Sequence, residues 1–102
     1  LFEACYYGQL QAVKLILEDT RVIPSLDRNA CLRAAIEGNH PRVVRVLLDD
    51  GRVEVGVEEY FVVRLAYVNE RTEIVKVFLG HPSTNLVAAL QALKPHIQDN
   101  RR

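Results

Sequence analysis

The sequence predicts an all-α fold in which helix–turn–helix units stack into a solenoid, and three observations predict it. Aliphatic residues recur with a 31-residue period. Each period holds two stretches with helical spacing of apolar residues, separated by turn residues. One column of the repeat is always alanine, which lets two helices approach closely. Because a single helix pair cannot bury its apolar face alone, such units share a core with their neighbours.

The repeat aligns three units without insertion or deletion, and we expect them at about 1–31, 32–62 and 63–84. A shift of 30 would pair Gly8 with Gly38 but would misalign the aliphatic columns. The columns that fix the register are Leu1, Leu32 and Val63; Ala4, Ala35 and Ala66; Val13, Val44 and Val75; Leu17, Leu48 and Leu79; and the basic set Lys14, Arg45 and Lys76.

The second unit shows how each unit is built. Asp27 is the predicted N-cap of a first helix near 28–37, because its carboxylate can accept from the free N–H groups of the first turn. The Gly-Asn pair at 38–39 ends that helix, as a left-handed residue would. Pro41 suits the first turn of the second helix, which is expected to run to about Asp50.

The second helices carry the apolar faces of the units. In the third unit Thr72 is the predicted N-cap, and Glu73 favours the positive N-terminal end of the helix. Pro24 keeps the stretch between the first two units non-helical. The predicted core positions are Val44, Leu47 and Leu48 in the second unit and Ile74, Val75, Phe78 and Leu79 in the third.

The segment 85–102 departs from the repeat register. It is predicted to form one helix over 85–94 that Pro95 stops, followed by a polar tail. Two interpretations of this segment stand side by side: a C-terminal capping helix, or a truncated fourth repeat. With 102 residues the chain is expected to be one domain, and the absence of an initiator Met suggests part of a longer protein.

Composition narrows the classes of partner. Lys and Arg number 13 and so do Asp and Glu, so no strong field is expected to attract nucleic acid or an anionic membrane. No apolar run approaches the roughly 20 residues that span a bilayer. Cys5 and Cys31 lie among apolar residues and are predicted to be reduced core thiols rather than a disulfide. The chain is therefore expected to be intracellular, and cytoplasmic within the cell.

Three stretches resemble the ankyrin-repeat family, in which Gly-His leads into Val-Val-x-x-Leu-Leu. They lie at 8–17, 39–48 and 70–79, and the second, Asn-His-Pro-Arg-Val-Val-Arg-Val-Leu-Leu, matches best. The resemblance covers about residues 1–80. The chain departs from the family in its shorter period, since an ankyrin repeat has roughly 33 residues, and in lacking the Thr-Pro-Leu-His motif. The resemblance therefore implies a divergent ankyrin array with shortened finger turns.

Catalytic and metal-binding patterns are weak. His40, His81 and His96 have no nucleophile nearby in sequence, and His40 occupies a column where ankyrin repeats commonly hold a structural histidine. The Cys and His residues lack the close pair spacing of zinc sites, and the five glycines form no phosphate-binding loop. We predict no catalytic residue, cofactor or metal.

The resemblance implies a scaffold that presents a concave surface to a protein or peptide partner, from a chain that is itself a monomer. A structural spacer between other domains is the alternative function. Tyr6 and Tyr7 attract most interest, because Tyr is enriched at interface hot spots. Carried over by column, the predicted partner-binding residues are Tyr6, Tyr7, Asp27, Arg28, Asn29, Arg33, Glu37, Glu58, Glu59, Tyr60, Arg64 and Val68.

Overall fold

The computed structural model describes residues 1–99, and it describes the side chains of all of these except Asp27, Arg28, Gln98 and Asp99. All regular secondary structure in this range is helical, which confirms the all-α prediction. The end of the predicted polar tail, 100–102, lies outside the described residues. The helices are α1 (Phe2–Tyr6), α2 (Leu10–Leu17), α3 (Leu26–Glu37), α4 (Pro41–Asp50), α5 (Val57–Val68), α6 (Thr72–Gly80) and α7 (Leu86–Asp99).

The helices pack in two rows. The first row is α1, α3, α5 and α7, each in contact with the next, and the second row is α2, α4 and α6. The two rows enclose an apolar core, and the molecule is elongated, with extents of 46 × 22 × 22 Å. All three residues of the alanine column, Ala4, Ala35 and Ala66, are buried in the core, as close helix approach requires.

The backbone repeats the period of the sequence at the end of each first-row helix in the three units. Gly8, Asn39 and Glu70 adopt left-handed φ angles of 69°, 62° and 59°. The N–H of the residue after each one donates to the carbonyl of the alanine column at 2.9 Å. This is a Schellman motif, which satisfies carbonyls that a helix end leaves free. The geometry pairs Gly8 with Asn39 rather than with Gly38 and so supports the 31-residue register.

Helix boundaries confirm some sequence predictions and contradict others. α4 begins at Pro41 and ends at Asp50, as predicted. Asp27 is not an N-cap, because α3 already begins at Leu26 with Ser25 preceding it. Thr72 is the first residue of α6, and Arg71 holds the N-cap position. In both cases the helix extends further toward the N-terminus than the capping pattern indicated.

The prediction that Pro95 stops the last helix is wrong, since α7 continues through Pro95 to Asp99. A proline inside a helix removes one hydrogen bond to the carbonyl four residues before it, here that of Gln91. Both residues are exposed, so water can take the place of that bond. α7 packs mainly against α5, with fewer contacts to α6, and its role as a cap or as a partial fourth unit stays a prediction.

The apolar stretches are short. Within the described range, no helix combines the length and hydrophobicity needed to cross a bilayer.

Candidate partner-binding surface

Side-chain contacts between consecutive units position the first-row helices. His40 Nε2 lies 2.9 Å from the carbonyl oxygen of Tyr6, at the end of α1. One repeat later, Arg71 donates to the carbonyls of Ile36 and Glu37 at the end of α3, at 3.1 and 2.9 Å. The structural role predicted for His40 agrees with this contact. The C-termini of α1 and α3 are therefore each fixed by the unit that follows.

A second set of contacts joins the other ends of the first two units. The Arg52 guanidinium donates to the carbonyls of Leu17 and Val22 at 2.6 and 3.0 Å. It also forms an ion pair with Asp50, with Nε 2.7 Å from the carboxylate. The hydrogen bond from Arg52 lowers the pKa of the Asp50 carboxyl. This arginine therefore connects the C-terminal end of α2 to the turn after α4.

Asn29 is a contact between units and not a surface residue, which corrects its prediction as a partner-binding residue. Its side chain is only 2% exposed. Nδ2 donates to the carbonyl of Glu54 at 2.6 Å, and Oδ1 accepts from the N–H of Glu54 at 3.4 Å. A buried amide requires such partners, because an unsatisfied polar group in the core is costly. The repeat column alone gave no sign of this burial.

Several of the exposed large apolar side chains lie at the ends of first-row helices. Tyr6, Glu37 and Val68 are equivalent positions at the ends of α1, α3 and α5, and all are exposed. Phe2, one helical turn before Tyr6, is also exposed and was missed by the sequence prediction. Its place one full repeat before Arg33 was the available signal. The exposed fractions are 51% for Phe2, 41% for Tyr6, 67% for Tyr7 and 56% for Val68.

The two tyrosines at the end of α1 support each other. The rings of Tyr6 and Tyr7 meet edge to face, with centroids 5.0 Å apart and planes at 89°. Such aromatic pairs are favourable beyond the area they bury. The bond from His40 to the Tyr6 carbonyl fixes the backbone beneath them. The pair is thus held in place while most of the Tyr7 ring remains accessible.

Three predicted residues of α5 meet in a groove between α5 and α7. The groove has a volume of about 550 Å³. Glu59, Tyr60 and Arg64 line it from one side, and α7 supplies the other. Sequence analysis missed the α7 contribution because that helix departs from the repeat register. The lining residues from α7 are Ala88, Gln91, Ala92, Pro95 and His96.

The start of α5 has unusual backbone geometry at predicted partner-binding residues. Glu58, Glu59 and Tyr60 adopt left-handed φ angles between 52° and 59°, so regular right-handed helix begins only after them. Left-handed geometry costs roughly 1–2 kcal/mol for each non-glycine residue. Arg64 offsets part of this cost, because its guanidinium donates to the carbonyls of Glu58 and Glu59 at 2.9 and 3.2 Å. The same guanidinium lies 5.6 Å from the ring centroid of Phe61.

The predicted residues therefore fall into two groups on the first row. Tyr6 and Tyr7 lie at the end of α1, while Glu59, Tyr60 and Arg64 lie at the start of α5 and along it. Glu37 and Val68 are exposed at helix ends, and Arg33 is half-buried in α3. The side chains of Asp27 and Arg28 lie outside the described residues.

The cysteines are buried and free, as predicted. Cys5 belongs to α1 and Cys31 to α3, and the two thiols are hydrogen-bond partners. This hydrogen bond, together with burial, raises the pKa of the Cys5 thiol well above its usual value. Cys5 is therefore a protonated core thiol at neutral pH rather than a nucleophile.

His81 links two units through a Ser–His–Asp chain that sequence analysis did not foresee. Its Nε2 lies 2.7 Å from Asp49 Oδ1, and its Nδ1 lies 2.8 Å from Ser83 Oγ. Nδ1 also accepts a hydrogen bond from the backbone N–H of Ser83 at 3.1 Å, so the His81 ring stabilises the turn that contains it. We interpret the chain as a connection from this turn to α4. Among the described residues, no three His, Cys, Asp or Glu side chains come together as metal ligands would.

No family model, curated protein or solved structure matches the sequence. The surface chemistry of the two rows is therefore the basis on which function can be assigned.

Proposed function

We propose that the chain is a divergent ankyrin-type array that binds a protein or peptide through its first-row face. The exposed apolar side chains Phe2, Tyr6, Tyr7 and Val68 on the ends of the first-row helices carry this proposal. The repeated Schellman geometry and the two rows of helices support the ankyrin-type architecture. Binding rather than catalysis is proposed for this surface.

The end of α1 presents exposed apolar area in a fixed geometry. Tyr6 and Tyr7 form a contiguous exposed aromatic pair, and exposed apolar patches commonly mark an interaction site. Aromatic residues dominate interface energetics because they combine a large contact area with few rotatable bonds. The Tyr6 backbone is bonded to His40 and its ring packs on Tyr7, and both contacts lower the cost of ordering this residue on binding. The groove between α5 and α7 adds Glu59, Tyr60 and Arg64 to the accessible residues of the first row.

The test uses peptides selected from a random library against the purified chain. Tyr6→Ala combined with Val68→Ala is expected to weaken the selected peptides at least about tenfold, since each substitution removes a large contact on the proposed face. Leu15→Ala is the matched control, because Leu15 is 68% exposed but belongs to the second row. Arg33 is left unchanged because it already makes an interaction within the chain. Equal affinity for the double variant and the parent would refute the site.

A structural spacer is the alternative, and the elongated shape, 46 Å long and 22 Å wide, favours it. A spacer needs no first-row contacts. It therefore predicts that selection yields no peptide whose binding depends on Tyr6 or Val68.

A further inference from the structure

A groove crosses the second row, and the proposed first-row site does not use it. It has a volume of about 690 Å³ and is lined only by residues of α2, α4 and α6. Half-buried Leu10, Val46 and Val77 provide an apolar part of its lining. The groove thus spans all three units.

Three cations line this groove without neutralising partners. Lys14, Arg42 and Arg45 are exposed, and none forms an ion pair or hydrogen bond with any residue that the structure describes. Arg52 and Arg71 differ, because their guanidinium groups donate to carbonyls of neighbouring units. Arg52 and Arg71 therefore stabilise contacts between units, whereas the three groove cations make no such contact among the described residues.

The repeat places these charges in a line across the helices. Lys14 and Arg45 are equivalent positions in consecutive units, on the neighbouring helices α2 and α4. Lys76 continues the column on α6, 3.7 Å from Glu73. Both of these side chains are about 70% exposed, so the pair is weak and screened by salt. Glu73 is the one carboxylate that lines the groove.

We propose that this groove binds an acidic segment of a partner protein, with its carboxylates facing Lys14, Arg42 and Arg45. Charge complementarity favours an anionic occupant, and because the chain as a whole is neutral, the attraction is local to the groove. The apolar lining favours a peptide that alternates carboxylates with aliphatic side chains over a bare phosphate chain. Three helices at roughly 8–10 Å spacing span about 20 Å, which an extended peptide covers with roughly six residues.

The probe is a fluorescein-labelled peptide, Glu-Glu-Leu-Glu-Glu-Leu-Glu, titrated against the full chain by fluorescence anisotropy at low salt. Lys14→Glu combined with Arg45→Glu is expected to weaken its affinity at least about tenfold, because two attractive charges become repulsive. Glu73→Gln is expected to strengthen it about twofold by removing the one repulsive carboxylate. Added salt should weaken the parent complex, since the groove cations are exposed.

Lys94→Glu is the matched control. Lys94 is exposed on α7, away from the groove, and should change the affinity less than about twofold. Circular dichroism melting shows whether each variant is folded, and the Glu73→Gln arm needs only a conservative change. The proposal is overturned if the peptide does not bind, if Lys94→Glu weakens binding as much as the double variant, or if a Gln-Gln-Leu-Gln-Gln-Leu-Gln peptide binds equally well. Displacement by inorganic phosphate or by a single-stranded oligonucleotide at the concentration of the acidic peptide would also overturn it.

Discussion

Replacing Arg52 with alanine tests whether contacts between units hold the array together. The variant leaves the carbonyls of Leu17 and Val22 without their charged donor and removes the Asp50 ion pair. Hydrogen bonds to charged groups contribute about 1.5–3 kcal/mol each when buried. The Arg52 side chain is 32% exposed, so water recovers part of that energy. We expect the free energy of unfolding to fall by about 2–3 kcal/mol.

For a domain of this size, such a loss corresponds to a melting temperature roughly 10–20 °C lower. Urea unfolding followed by circular dichroism measures the difference in free energy directly. Arg52→Lys should fall between the parent and the alanine variant, because an ammonium group cannot span two carbonyls and a carboxylate at once.

The repeat supplies its own control for this experiment. Arg21 occupies the equivalent position one unit earlier and forms the same kind of ion pair, with Asp19 at 2.8 Å. Its side chain is 89% exposed, however, and no contact to another unit is found for it among the described residues. Arg21→Ala should therefore leave the free energy of unfolding nearly unchanged. Equal losses for Arg21→Ala and Arg52→Ala would refute the reasoning, as would a loss below about 0.5 kcal/mol for Arg52→Ala.

The core, the helix ends and the Asp50 carboxyl each support one further prediction. Ala35→Leu should lower the free energy of unfolding by about 1–3 kcal/mol through overpacking, because Ala35 is fully buried; an unchanged melting temperature would show that this column is not tightly packed. Glu70→Gly should raise the free energy of unfolding by about 1 kcal/mol, because glycine relieves the strain of the left-handed φ. Gly8→Ala should lower it, since the new Cβ would collide with the His40 ring. Urea titrations that rank the two variants in the opposite order would contradict this. Asp50→Asn should destabilise the chain at neutral pH but progressively less below about pH 4. The pKa of the Asp50 carboxyl is lower in the folded chain than in the unfolded chain, so its charge stabilises the fold above the unfolded-state pKa. That contribution is lost as pH falls through the folded-state pKa. A stability gap between the parent and Asp50→Asn that does not narrow as pH falls below about 4 would exclude that origin.

The repeat was predictable because close packing demands the same residue types at the same interval. The alanine column, the buried face of α4 and the left-handed position at 38–39 all follow from local rules of packing and helix termination. The last helix was not predictable in the same way, since Pro95 would end an isolated helix while packing of α7 against α5 allows it to continue.

The candidate site was only partly predictable, because exposure depends on neighbouring units. Asn29 and Tyr6 were both predicted to be partner-binding residues on first-row helices, yet Asn29 is buried against Glu54 and Tyr6 is exposed. A column predicts which row of helices a residue occupies. It does not predict whether the next unit covers the side chain, as it does for Asn29. The α7 side of the groove could not be predicted from the columns, because α7 lies outside the repeat register.

The left-handed positions that end α1, α3 and α5 differ in backbone strain from one unit to the next. Glycine occupies the first, asparagine the second and glutamate the third, and their tolerance of this geometry decreases in that order. The backbone strain stored at these helix ends therefore rises from α1 toward α5. Glu58, Glu59 and Tyr60 add further left-handed residues at the start of α5, where α3 has Asn29 at a φ of 62°. Amide hydrogens near α5 should exchange with solvent sooner than those of α3, and opening should begin at the end of the molecule where the α5–α7 groove lies.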